Sequence, residues 1–255
     1  MAERLEGTVA LITGASSGIG EATARALAAH GAAVALAARR TERLAQVAQD
    51  ITRDGGRALV LVTDVTDTIQ VQAAVARTVA ELGRLDTLVN NAGVALLGPA
   101  ERAPLAEWEQ MVRVNVLGTL YMAHAALPHL LKAAADGPRY VADLVNVSSR
   151  LGRVASANFG VYNLTKFGEV AFSESLRQEV TKRHVRIAAV EPGIVATEIR
   201  SHMRAEVREQ VMQRFESGVE PLAAEDIADA IGYMVTRPRR VAINELLFRP
   251  TEQEV

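Results

Sequence analysis

The chain has no cysteine in its 255 residues, which excludes disulfides, thiolate metal sites and a cysteine nucleophile. Histidines are few. His30, His124, His129, His184 and His202 show neither an HExxH pattern nor paired-ligand spacing, so no metal site is expected. No apolar run approaches the ~18 residues of a membrane-spanning helix. The opening MAERLEGTVALIT puts Glu3 and Glu6 before a very short apolar run, unlike a signal peptide. Charge of one sign is also lacking: 28 Lys and Arg against 30 Asp and Glu leave a net charge of −2. That balance argues against general affinity for nucleic acid or an anionic membrane, and Arg237, Arg239 and Arg240 read as a solvated surface turn. The expectation is a soluble, cytoplasmic protein.

What the chain does have is alternation. Short aliphatic runs at 9–13, 33–37, 58–62, 87–90, 141–147, 185–190 and 243–248 are separated by helical patterns at 21–30, 41–54, 67–82, 105–132, around 162–166 and at 225–236. Pro128 is expected to end or bend the long 105–132 helix near its last turn. The segment 133–143 reads as a long turn. Strands alternating with helices predict an α/β fold: a doubly wound, seven-stranded, mainly parallel sheet with helices on both faces. No repeat or Pro/Ser-rich linker divides it, so residues 1–255 read as a single domain.

The first strand-to-helix turn reads TGASSGIG, with Gly14, Gly18 and Gly20 around Ser16, Ser17 and Ile19. A glycine turn at a helix N-terminus lets backbone N–H groups approach a pyrophosphate. After the second strand, where an acidic residue would bind a ribose 2′-hydroxyl, the chain has Ala38 followed by Arg39 and Arg40. Two guanidiniums suit a 2′-phosphate, so NADP(H) is expected over NAD(H). Tyr162 and Lys166 lie four residues apart in VYNLTKFG, one helical turn, so both side chains share a face.

The GxxxGxG spacing, Asn90-Asn91-Ala92-Gly93, Asn115, Ser149, Tyr162-x-x-x-Lys166 and Pro192-Gly193, in this order across nearly the whole chain, resemble the short-chain dehydrogenase/reductase family. The resemblance implies a Rossmann-type fold and a catalytic tetrad of Asn115, Ser149, Tyr162 and Lys166. Ser149 is chosen over Ser148 because it lies thirteen residues before Tyr162, the spacing the family resemblance implies, whereas Ser148 would face the strand. Asn115 would hold a water that relays protons to Lys166, and Lys166 would contact the nicotinamide ribose. Asp64 and Val65 resemble the adenine-contacting pair, although Asp64 reads equally well as a helix cap. Asn91, Ala92, Gly93, Pro192, Gly193, Val195 and Thr197 complete the implied cofactor site. A lysine charge at about 4 Å, in an effective dielectric of about 20, contributes on the order of 4 kcal/mol toward the phenolate, with desolvation opposing it. The spacing thus predicts a tuned acid.

VALLGP (94–99), YNLTKFGEVAFSESLRQEV (162–180) and NELLFRPTEQ (244–253) are similar to a bacterial branch containing clavulanate-pathway aldehyde reductases. The implied activity is an NADP(H)-dependent aldehyde or ketone reductase, or alcohol dehydrogenase, acting on a small molecule. A non-catalytic NADP(H)-binding regulator and a same-fold isomerase or dehydratase are the rival readings. The segment 198–219, with Met203, Met212 and Phe215 among charges, reads as a substrate lid or an ordinary surface helix. No dedicated carboxylate or phosphate clamp for the substrate is evident. The resemblance also implies a homo-oligomer, a tetramer or a dimer, with Ala123, Ala125 and Ala126 permitting close helix approach.

Overall fold

The computed structural model describes residues 4–205, 207–209 and 218–254. Its strands are β1 (Val9–Thr13), β2 (Ala33–Ala38), β3 (Ala58–Val62), β4 (Thr87–Asn90), β5 (Ala142–Val147), β6 (Val185–Pro192) and β7 (Glu245–Phe248). The α-helices are α1 (Gly18–Ala29), α2 (Thr41–Arg53), α3 (Thr68–Leu82), α4 (Leu105–Met111), α5 (Thr119–Asp136), α6 (Gly160–Val180) and α7 (Ala224–Val235). All seven strands pair in parallel in the order β3-β2-β1-β4-β5-β6-β7. The chain winds outward from β1 to β3, returns beside β1 at β4, and winds outward again. This reversal opens a crevice at the carboxyl ends of β1 and β4.

The strand period of two feeds two cores. Along β2, Val34, Leu36 and Ala38 enter one core, and Ala35 and Ala37 enter the other. The first core is closed by Leu27 of α1, Leu44, Val47 and Ile51 of α2, and Ile227 and Ile231 of α7. The second is closed by Val71 and Val75 of α3, Met122 and Leu130 of α5, and Leu176 and Val180 of α6. Ala123 and Ala126 are buried in this second core, with Ala125 packed against it, so internal packing accounts for the alanine-rich stretch. Asp67 caps α3, accepting from the N–H groups of Ile69 and Gln70.

The long helical pattern is interrupted. Between α4 and α5 the backbone forms a π-helical turn, Val112–Gly118, that contains Asn115. Pro128 does not end the helix: α5 continues to Asp136 and takes in the first part of the supposed turn at 133–143. The proline ring removes the N–H that would bond the His124 carbonyl, and both residues lie on the exposed face, where water can serve that carbonyl.

A buried ion pair ties the far half of the sheet together. Arg186 on β6 holds Asp143 on β5 in a fork, Nε to Oδ1 at 2.7 Å and Nη2 to Oδ2 at 2.9 Å. It also donates to the carbonyls of Val235, the last residue of α7, and of Arg237 and Val241 beyond it. Arg237 packs over the Tyr233 ring at 4.0 Å, while Arg239 and Arg240 are exposed, as a surface turn requires. Among the described residues, no helix is long and apolar enough to cross a membrane, and no cluster of His, Asp or Glu could hold a metal ion.

Candidate active site

At the carboxyl end of β1 the chain turns sharply and enters α1. Gly14 takes φ +65°, a left-handed conformation that favours glycine. A Cβ on Gly20 would sit 2.4 Å from the Gly14 carbonyl oxygen, so only glycine lets helix and turn approach this closely. Ser17 occupies the N-cap of α1 but makes no side-chain cap, which leaves first-turn N–H groups for an anion. Thr13, at the end of β1, joins this turn to the next strand. Its Oγ1 accepts from the N–H groups of Asn91 (2.9 Å) and Ala92 (3.0 Å), and its carbonyl accepts from Asn91 Nδ2 (3.0 Å).

Around this turn lies a cleft lined by Gly14, Ser16, Ser17, Gly18, Ile19, Arg39, Arg40, Asp64, Val65, Asn91, Ala92, Gly93 and Thr197. The cofactor residues expected near the first four strands are therefore gathered there, with Gly20 supporting them from behind. Arg40 is already engaged: Nε donates to Ser16 Oγ at 3.1 Å, Nη2 donates to Ser17 Oγ, and Nη1 pairs with Glu198 at 2.8 Å. Arg39 makes no hydrogen bond or ion pair among the described residues. Asp64 shapes its own turn, accepting from Thr66 N and Oγ1 at 2.9 and 2.8 Å. The capping role falls to Asp67 instead.

A second pocket adjoins the first, sharing Ile19, Asn91, Gly93 and Thr197 with it. Its walls include Ser149, Tyr162, Lys166, Pro192, Gly193 and Val195, so three members of the implied tetrad meet beside the cofactor cleft. Both candidate serines line this pocket. Ser149 Oγ is hydrogen-bonded to Tyr162, whereas Ser148 Oγ donates to the Lys166 carbonyl at 3.1 Å. Asn115 is fully buried and outside both pockets. Its Oδ1 accepts from Val94 N at 2.9 Å, and its Nδ2 donates to Val94 O at 2.9 Å and Thr165 Oγ1 at 3.1 Å. Both amide protons are used, so the side chain positions the Val94 backbone rather than offering a donor to water.

The electrostatics depart from the sequence expectation. Lys166 Nζ lies 5.7 Å from the Tyr162 ring centre, and it donates to Val147 O at 3.0 Å and to both oxygens of Glu169 at 2.9 and 3.1 Å. Glu169 is itself buried, three residues along α6. Burial pushes the Tyr162 phenol above its ordinary pKa; Lys166 pulls it down, Glu169 pushes it up again, and the Ser149 hydrogen bond pulls it down. The net direction is upward, because burial outweighs the pull of the ammonium and the Glu169 carboxylate offsets part of that pull. Burial also opposes the Lys166 charge, but Glu169 outweighs it and holds the ammonium above its usual value.

Glu169 and Thr13 were missed in the sequence. Glu169 had a signal, its i+3 spacing from Lys166 on the same helical face. Thr13 had none, since a threonine ending a strand is commonplace. Asn163 was also missed. It holds the segment after Ser149, donating to the carbonyls of Leu151 (2.7 Å) and Val154 (3.1 Å). Met203 packs, buried, beside Phe159 and Tyr162, while Met212 and Phe215, the other apolar residues of the segment read as a lid or a surface helix, lie outside the described residues.

A family model described as short chain dehydrogenase matches residues 8–208. An uncharacterized oxidoreductase of Staphylococcus saprophyticus is 34% identical over 97% of each chain. Among solved structures, a closed-form serine dehydrogenase complexed with NADP+ superposes with a TM-score of 0.87 and 30% identity, covering 97% of each chain. A 3-ketoacyl-(acyl-carrier-protein) reductase from Brucella melitensis complexed with NADH does so with a TM-score of 0.83 and 30% identity, covering 96% of this chain and 98% of that one. Sequence, topology and site agree: the chain belongs to the short-chain dehydrogenase/reductase family and is an oxidoreductase acting on CH–OH or C=O groups.

Proposed function

We propose that the protein transfers hydride between NADP(H) and a small carbonyl or alcohol substrate, with Tyr162 as general acid in reduction and general base in oxidation. One observation carries the reading: Ser149, Tyr162 and Lys166 line a pocket continuous with the cleft of the glycine turn. The residues fit a dinucleotide, since the turn admits close backbone approach and the open N-terminus of α1 accepts phosphate. When bound, the nicotinamide supplies or accepts the hydride. Ser149 donates a hydrogen bond to the substrate oxygen and fixes it beside Tyr162. In reduction, Tyr162 gives its proton to that oxygen as the carbon gains hydride; the raised pKa keeps the phenol protonated and ready to donate. Lys166 steadies the resulting phenolate.

The NADP(H) preference rests on Arg39 and Arg40 following Ala38, with Arg39 unengaged among the described residues and Arg40 held by a pair that a phosphate can displace. The NADP+ complex of the similar serine dehydrogenase supports this preference. The NADH complex of the similar ketoacyl reductase makes a direct comparison of the two cofactors part of the test. A cytoplasmic homo-oligomer belongs to the same reading. Leu164 and Phe167, exposed three residues apart on α6, offer an apolar face for a second copy.

The test follows NADPH absorbance across a panel of aldehydes and ketones with the wild-type protein and Tyr162→Phe. We expect turnover to fall about 10²–10⁴-fold while NADPH affinity is kept. Near wild-type turnover in a folded, cofactor-binding variant refutes the role of Tyr162. Product formed without net cofactor consumption points to isomerisation or dehydration instead.

A further inference from the structure

The pocket beside Tyr162 holds a charge that the proposed chemistry does not use. Arg150 follows Ser149 directly, opens the short 3-10 turn Arg150–Gly152, and lines the same pocket as Ser149 and Tyr162. It is only 6% exposed, and its Nη1 is enclosed with no acceptor among the described residues. Other buried or half-buried guanidiniums nearby are answered: Arg153 by Glu191 and Glu245, Arg186 by Asp143. Among the described residues, no carboxylate answers Arg150. Burial, and then the like charge of Arg249, lower its pKa from the ordinary value. Among the described residues, Arg249 also keeps its Nε enclosed without a partner, and its Nη1 donates to the Glu254 carbonyl at 3.4 Å. A desolvated guanidinium without a counter-ion is costly, and the cost is recovered only if an anion arrives.

The pocket that Arg150 and Tyr162 share also has apolar lining, with Val94, Leu97, Leu151, Phe159 and Met203. A ligand matching this wall has an anionic end, an apolar middle and a reacting carbonyl or hydroxyl. We propose that Arg150 is the anion anchor of the substrate pocket and that the substrate is a carboxylic acid bearing an aldehyde, ketone or alcohol. The guanidinium fork takes the carboxylate while the other end reaches Ser149 and Tyr162. The reacting end rests on the function proposed above; the anionic end does not. The residue was unremarkable in the sequence because nothing there shows that the position after Ser149 turns inward.

The experiment has a binding arm and a turnover arm. Calorimetry on NADPH-saturated protein compares short straight-chain carboxylates with the matching primary amides. Steady-state kinetics compare oxo acids with their methyl esters. Both use wild type, Arg150→Met and Arg150→Lys. Wild type should prefer acids about ten- to a hundredfold in both arms, the magnitude of a charge-assisted hydrogen bond. Arg150→Met should lose the preference, and Arg150→Lys should keep part of it. Equal affinity for acids and amides in wild type overturns the anchor, as does a preference that survives in Arg150→Met or an equal loss for both ligand types. Selective carboxylate binding without turnover of any carbonyl leaves the anchor standing and removes the reductase. Turnover of neutral carbonyls without an acid preference does the reverse.

Discussion

The ammonium of Lys166 donates to Val147 O and to both oxygens of Glu169. A ribose hydroxyl must therefore compete with Glu169 for this group. Glu169→Gln keeps an acceptor but removes the charge that pushes Tyr162 up. Alcohol oxidation needs the phenolate, so its rate rises with pH through the phenol's pKa. In Glu169→Gln that rising limb should move to lower pH, measured as kcat against pH with saturating NADP+; a limb that stays or moves upward contradicts the charge argument. At the other cleft, Arg39→Asp should weaken NADPH about tenfold or more while NADH is much less affected, read as the ratio of KM values. Equal losses for both would remove Arg39 from cofactor choice. That Tyr162 and Lys166 share a pocket was legible from their helical spacing, and Ser149 from the family resemblance. The net acidity of Tyr162 was not, because a pair of residues sets only one of several competing charges and burial sets the rest.

At the scale of elements, β1, β3 and β4 were legible to the residue, since an aliphatic run flanked by turn residues has nowhere else to go. The helix over 105–132 was legible as helical, but neither its division into three pieces nor its continuation to Asp136 was. Its apolar spacing is nearly the same on both sides of the π-helical turn, and what holds that turn is a distant partner, the Val94 backbone bonded to Asn115. Asn115→Ala would leave a buried N–H, a buried C=O and the Thr165 hydroxyl without this partner. We expect a loss of at least about 1–3 kcal/mol in denaturant unfolding. Unchanged stability would mean that the turn is held by its own backbone.

For the whole molecule, the doubly wound parallel sheet followed from the alternation of elements, and the position of the site followed from the sheet, because the crevice at its reversal gathers loops from many strands. The oligomeric state depends on surfaces, about which apolar patterning says little. Leu164 is 65% and Phe167 42% exposed on α6, the helix that also carries Tyr162. Sedimentation of Leu164→Glu should show a smaller species than wild type; an identical profile would mean that this face stays in solvent.

The last strand contributes more than sheet edge. Gly193 N donates to the Phe248 carbonyl, and Ile194 N donates to Gln253 Oε1 at 3.0 Å. These bonds brace the Pro192-Gly193 turn that leads to Val195 and Thr197. Phe248 at the end of β7 and Gln253 beyond it thus act as a keystone under the wall of the Tyr162 pocket that Pro192, Gly193 and Ile194 form. Trimming the chain ahead of Gln253, or crowding that end with a fused tag, would disturb an apparatus assembled mostly from residues far earlier in the sequence.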